Sequence, residues 1–135
     1  MTQIYQKKPL LSLFLAAILF LATNSYVFGA SVSGSYRSVS NNSVVFDIKV
    51  GRPAPSSLII QHFHPAALRI TAASPSASKI NARSGVAKWF LKNPQTGRHT
   101  FSINFSGTPS AAALRVVVRY KDPSTGTFQE ISITP

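Results

Sequence analysis

Apolar and polar residues alternate along most of the chain from Val32 onward, and no stretch keeps a helical period for three turns. The clearest case is the segment 100–106, in which Phe101, Ile103 and Phe105 are separated by small polar residues. A strand with one face on a core and the other face in water shows this alternation. The pattern therefore predicts a half-buried antiparallel strand.

Two further segments alternate in the same way. Residues 43–50 are predicted to turn four apolar side chains inward, those of Val44, Phe46, Ile48 and Val50. Residues 114–121 are predicted to turn Leu114, Val116, Val118 and Tyr120 inward, and Arg115, Val117, Arg119 and Lys121 outward. The other predicted strands are residues 32–39, 57–64, 68–73, 86–91 and 127–134.

Proline and glycine separate these segments. Residues 51–55 contain two prolines, which cannot donate to a central ladder. Residues 92–97 and 121–126 each combine a proline with a glycine, and both are predicted to be hairpin connections. About seven to eight short strands with frequent turns predict an immunoglobulin-like antiparallel β-sandwich, with a small barrel as the alternative. Residues 30–135 are expected to form this single domain.

The first thirty residues have a different pattern. Lys7 and Lys8 precede an apolar run over residues 10–22, and small residues follow at Gly29 and Ala30. This order predicts a secretory signal peptide over residues 1–29, cleaved after Gly29. The alternative is an uncleaved anchor, but the run is shorter than the roughly 20 residues that cross a bilayer. We expect an exported protein in the periplasm, at the cell surface or outside the cell, without a membrane span after cleavage.

Charge adds a second expectation. The chain has 14 Lys and Arg against 3 Asp and Glu, and removal of the first 29 residues leaves a net charge of +9. A strongly basic domain attracts polyanions such as acidic polysaccharide or extracellular DNA. Arg115, Arg119 and Lys121 share one strand face and are the candidate contact residues for a polyanion or protein partner. The alternative is that these charges only solvate the surface. No fold signature of sequence-specific nucleic-acid binding is present.

Residues for catalysis and metal binding are few. The chain has no cysteine, and its only carboxylates are Asp47, Asp122 and Glu130. Without cysteine and with only three carboxylates, the chain has few residues from which a catalytic triad or a catalytic carboxylate pair could be built. We therefore expect no enzyme activity and no cofactor.

The histidines and the tryptophan each leave two interpretations open. His62 and His64 are two residues apart on a predicted strand, so their rings share a face, and His99 is a weak candidate for a third metal ligand. The other interpretation is a polar pair near a strand end. Trp89, the single tryptophan, is expected in the core, with ligand stacking as the alternative.

Several segments resemble a secreted sandwich module found in prokaryotic cell-surface and extracellular proteins. The segments are residues 58–65, which end in a proline, residues 70–75 with an A-S-P corner, residues 84–90 with a G-x-A-x-W strand, and residues 120–126, which read Y-K-D-P-S-T-G. The resemblance implies a non-catalytic extracellular module with an immunoglobulin-like fold.

These observations together predict a secreted, non-enzymatic protein that acts by protein–protein contact, in adhesion or as an accessory or subunit of an extracellular filament. Its partner would be an envelope or extracellular protein, or a second copy, and residues 127–134 are a candidate edge strand for such contact. The first alternative is a basic module that binds an anionic glycan, an envelope polymer or extracellular DNA. The second is a periplasmic protein that binds a metal through His62, His64 and His99.

Overall fold

The computed structural model describes residues 31–135, so the predicted signal peptide lies outside the described residues. Their regular structure consists of strands, apart from one short 3-10 helix at Ala111–Ala113. Two antiparallel sheets pack face to face, which confirms the predicted all-β sandwich. Over residues 31–135 the structure contains no helix that could cross a membrane.

Nine strands build the two sheets. In chain order they are β1 (Val32–Ser40), β2 (Ser43–Val50), β3 (Ser57–Phe63), β4 (Ile70–Ser74), β5 (Lys79–Asn81), β6 (Val86–Lys92), β7 (Gly97–Phe105), β8 (Arg115–Lys121) and β9 (Phe128–Ile133). The four-stranded sheet has the order β1-β2-β7-β4, and the five-stranded sheet has the order β5-β6-β3-β8-β9. Strand β9 therefore lies at a sheet edge, as predicted for residues 127–134.

The core lies between the sheets and is built from the inward residues of both. The predicted alternation is confirmed in β2 and β7, and in β8 every apolar residue assigned to the inner face is buried. Val117, predicted on the outer face of β8, is buried as well, so that face is not solvated along its whole length. Trp89 is also a core residue: its ring packs edge-on against Phe46 and Phe101. Its Nε1 donates a hydrogen bond to the carbonyl oxygen of Pro75 at 2.9 Å, so the one polar atom of the buried ring is satisfied.

Two predictions about connections have different outcomes. The turn over residues 121–126 is a hairpin, because β8 pairs with β9 from Lys121–Phe128 to Val116–Ile133. The hairpin predicted for residues 92–97 is wrong, because β6 pairs with β3 and β7 pairs with β2 in the other sheet. Residues 93–96 therefore carry the chain from one sheet to the other.

Candidate functional site

The outer face of the five-stranded sheet concentrates positive charge. We call this surface, formed by the outward residues of β5, β6, β3, β8 and β9, the basic face. It presents six cationic side chains, those of Lys79, Lys88, Lys92, Arg115, Arg119 and Lys121. Among the described residues its only acidic side chain is Glu130, which forms a salt bridge with Arg119 at 2.7 Å.

The three contact residues predicted on β8 lie together on this face and are exposed, as the alternation of β8 predicts. They differ in their surroundings. The guanidinium carbon of Arg115 lies 4.7 Å from the centre of the Phe63 ring, a cation–π arrangement that holds the charge flat on the sheet. The charge of Arg119 is paired with that of Glu130 in the salt bridge. Lys121 lies at the hairpin end of β8 and has no salt bridge among residues 31–135.

Apolar side chains lie among these cations. Alternation with the core residue Trp89 predicts that Phe90 faces outward, whereas the other apolar residues of this face were not predicted from the sequence. Phe90 on β6 is 51% exposed on the outer face, and its partner across the ladder is Ile59 on the central strand β3. Phe63 pairs with Val86 in the same two strands, and both are half-buried. The available signal was that residues 57–63 are apolar on both faces of the strand, whereas a strand with a solvated outer face alternates. The basic face thus combines an apolar centre with surrounding cations.

The outer face of the four-stranded sheet has a different character. Serine, threonine and asparagine predominate on β7, and Asp47 on β2 anchors a compact charge cluster. Asp47 accepts hydrogen bonds from Arg37 at 2.9 Å and from the Thr100 hydroxyl at 2.7 Å, and Arg98 approaches it to 3.8 Å. Asp47 thus contacts two of the three cations on β1, β2 and β7, while Lys49 has no salt bridge among residues 31–135. This face keeps a smaller net positive charge than the basic face.

The carboxylates have structural partners. Asp47 and Glu130 lie on opposite outer faces of the sandwich, each paired with arginine. Asp122 accepts a hydrogen bond from the backbone N–H of Ser124 at 2.8 Å, which closes the turn between β8 and β9. The absence of enzyme activity stays a prediction.

His62 and His64 face inward and lie in the core, not on the surface. The His62 ring is fully buried, stacks on Phe46 at 5.5 Å between ring centres, and lies 6.0 Å from the His64 ring. The hydroxyl of Tyr36 forms a hydrogen bond with Nε2 of His62 at 3.1 Å, and burial raises the pKa of Tyr36. The Nδ1 atoms of both histidines are buried without a hydrogen-bond partner among residues 31–135.

Burial keeps both rings uncharged. It lowers the pKa of His62 to about 3, with a further contribution from the neighbouring His64, and it also lowers the pKa of His64. The turn next to this pair requires glycine: Gly85 has φ of +68°, and a Cβ there would collide with the carbonyl oxygen of His64. Gly85 is therefore needed for the close approach of the two backbone segments beside the buried rings.

The structure does not bring the three predicted metal candidates together. His64 packs on Phe105 at one end of β7, whereas His99 lies six residues earlier on the same strand, roughly 20 Å away along it. His99 donates from Nε2 to the carbonyl oxygen of Gln95 at 2.7 Å. Within residues 31–135 no three His, Cys, Asp or Glu side chains form a group that could hold a metal ion.

Residues 31–135 form at least two surface clefts. One, of about 630 Å³, lies at the end of the sandwich where the β2–β3, β6–β7 and β8–β9 connections meet, and Pro55, Pro94 and Lys121 contribute to its wall. The other, of about 200 Å³, lies on the basic face between β3, β6 and β5. Both are lined by residues of elements that the sandwich holds in place.

No model of a known protein family, no curated protein and no solved structure matches this chain. Its function is therefore argued from the geometry and charge of its own residues.

Proposed function

We propose that this protein is an exported, non-enzymatic β-sandwich module that binds an acidic protein partner on its basic face. The observation that carries the proposal is the exposed Phe90, which lies with Ile59 and Phe63 among six cationic side chains. Protein interfaces have an apolar, aromatic centre and a polar rim, and arginine is enriched in them. A solvated sheet face does not need an exposed phenylalanine beside its central strand.

Charge favours a different protein over a second copy of this chain on this face. Two basic faces brought together would place twelve cations against each other with two glutamates between them. An acidic partner removes this repulsion and speeds the encounter by electrostatic attraction. The partner expected here is an envelope or extracellular protein with an acidic patch around an apolar contact.

The immunoglobulin-like assignment and export belong to the same proposal. The order β1-β2-β7-β4 corresponds to strands A-B-E-D of an immunoglobulin domain, and β3-β8-β9 corresponds to C-F-G. The hairpin β5–β6 is an addition beside the strand equivalent to C. The lysine-led apolar segment before residue 30 supports export.

Site-specific photo-crosslinking in the cells that produce the protein tests the proposal. A photoreactive phenylalanine analogue replaces Phe90 in the full chain, and the same analogue at Ser102 probes the outer face of the four-stranded sheet as a matched control. We expect one acidic protein to be crosslinked from position 90 and not from position 102. In binding measured with that purified partner, Phe90→Ser should weaken affinity about tenfold or more, since a central aromatic contact is lost.

Equal crosslinking from both positions would contradict the proposal. So would a crosslinked protein without excess negative charge, or a partner whose affinity does not change in the Phe90→Ser variant.

A further inference from the structure

The smaller cleft on the basic face has a distinctive lining. Its volume is about 200 Å³, and six residues line it: Gln61, Lys79, Asn81, Ser84, Val86 and Lys88. Five of these side chains are polar, and three strands and the β5–β6 turn supply them. The cleft is therefore a polar recess in a sheet surface whose neighbouring centre is apolar.

Two lysines face each other across this cleft. Lys79 on β5 and Lys88 on β6 are direct partners in the antiparallel ladder, and both line the recess. Directly opposed residues have Cβ atoms about 4.5–5.5 Å apart, and like charges there are destabilising. Neither lysine forms a salt bridge among residues 31–135. An anionic group between the two ammonium groups would turn this repulsion into attraction.

The neutral groups of the cleft are suited to hydroxyl groups. Gln61 lies beside Lys88 in the ladder, and its Oε1 is buried without a hydrogen-bond partner among the described residues. Asn81 accepts a hydrogen bond from the backbone N–H of Ser84 at 3.2 Å, which fixes the turn at the open end of the cleft. Amide and hydroxyl side chains of this kind both donate and accept hydrogen bonds.

We propose that this cleft binds one uronic acid residue of an acidic polysaccharide. The sugar carboxylate lies between Lys79 and Lys88, and its ring hydroxyls bond to Gln61, Asn81 and Ser84. Several neutral polar groups beside a pair of cations match a ligand with several hydroxyls and one carboxylate. An acidic peptide side chain would use the lysines and leave the neutral groups unpaired. The inference does not depend on the protein partner proposed above, which contacts the apolar centre.

Titrations followed by NMR test the site. The full chain is expressed and isolated, and its amide spectrum is recorded with trigalacturonate, with its fully methyl-esterified form, and with N-acetyl-glutamate amide. We expect saturable shifts of the Gln61 side-chain amide and of the Asn81 and Ser84 amides with trigalacturonate alone. The methyl ester has the same hydroxyls without the charge, and the amino acid has the charge without the hydroxyls.

Variants locate the site. Lys79→Gln combined with Lys88→Gln should weaken trigalacturonate binding at least tenfold, and Gln61→Met should weaken it severalfold. Lys92→Gln is the matched control, because it removes a charge from the same strand outside the cleft and should leave affinity within twofold. The position of the Trp89 signals in each spectrum shows that the variant is folded.

Three results would overturn the inference: no saturable shift with trigalacturonate, equal shifts with N-acetyl-glutamate amide, or equal losses in the Lys92→Gln variant and in the double variant. The first two exclude uronate selectivity, and the third indicates diffuse attraction by the whole face. None of them affects crosslinking from position 90, so the two proposals fail independently.

Discussion

His62 is the residue whose chemistry is most altered by folding. Its ring stacks on Phe46 and forms a hydrogen bond with the Tyr36 hydroxyl, while burial lowers its pKa to about 3. In the unfolded chain a histidine titrates near 6.5. Below that pH the unfolded state takes up a proton that the folded state does not, so stability falls as the pH drops from about 6.5 toward 3.

This pH dependence is measurable. Because its pKa is lowered on folding, His62 alone should reduce the free energy of unfolding by about 2 kcal/mol at pH 5 relative to pH 7.5. Each pKa unit corresponds to about 1.4 kcal/mol. Urea unfolding followed by Trp89 fluorescence at both pH values gives the difference. His62→Gln, whose side-chain amide can also form a hydrogen bond with Tyr36, should reduce it by more than half. A wild-type protein equally stable at both pH values would show that His62 is protonated in the folded state.

The two core histidines also show where residue-level prediction was incomplete. Alternation correctly places His62 and His64 on one face of β3. It does not say which face, because Leu58 and Ile60 on that face and Ile59 and Phe63 on the other are all apolar. Only the position of β3 between β6 and β8, with the four-stranded sheet beneath it, decides that the histidines are inside.

At the level of elements, eight of the nine strands could be predicted from short apolar or alternating segments bounded by turn residues, and β5 could not. β5 has three residues, Lys79, Ile80 and Asn81, all exposed, so no alternation marks it. The pairing partner of β6 could not be predicted from the sequence either. A turn with proline and glycine indicates a chain reversal, but it does not determine which sheet the next strand joins. The cleft between β3, β6 and β5 depends on both of these features and was therefore not predicted.

Strand β8 offers a test that separates its two faces. Arg115→Gln, Arg119→Gln and Lys121→Gln together should change stability by less than about 1 kcal/mol, because exposed charges contribute little to folding. The same triple variant should lose retention on an acidic-polysaccharide resin and weaken the crosslinked partner's binding. Val118→Ala opens a cavity on the inner face and should cost about 1–3 kcal/mol, with unchanged binding by the folded fraction.

Thermal unfolding and resin chromatography of the two variants check these expectations. A triple variant that unfolds would mean that the outward side chains of β8 contribute to the core. A folded triple variant with undiminished retention would remove Arg115, Arg119 and Lys121 from any binding site.

At the scale of the whole molecule, charge is divided unequally between the two outer faces. On the four-stranded sheet Asp47 lies against Arg37 and Arg98, with Lys49 beside them, while on the basic face, which carries six cations, Glu130 is the only acidic side chain among residues 31–135. Repulsion between exposed cations about 5–10 Å apart is screened by salt over a Debye length of about 10 Å at 0.1 M. The same salt weakens the three ion pairs. The sign of the change in unfolding free energy on adding salt therefore shows which of the two effects is larger.

We expect repulsion to be the larger effect, because the cations outnumber the carboxylates by twelve to three once residues 1–29 are removed. Raising NaCl from 20 to 300 mM should then increase the unfolding free energy by about 1 kcal/mol, a typical size for several screened surface charges. Urea is uncharged, so urea midpoints at each salt concentration measure the change directly. Lys79→Gln with Lys88→Gln should reduce this salt response, because it removes a directly opposed pair of cations, while Lys92→Gln, whose ladder partner is Ser57, should have little effect. If added salt lowers the urea midpoint instead, the ion pairs around Asp47 and Glu130 contribute more to stability than the repulsion removes. Repulsion between the cations of the basic face would then be weaker than their number suggests.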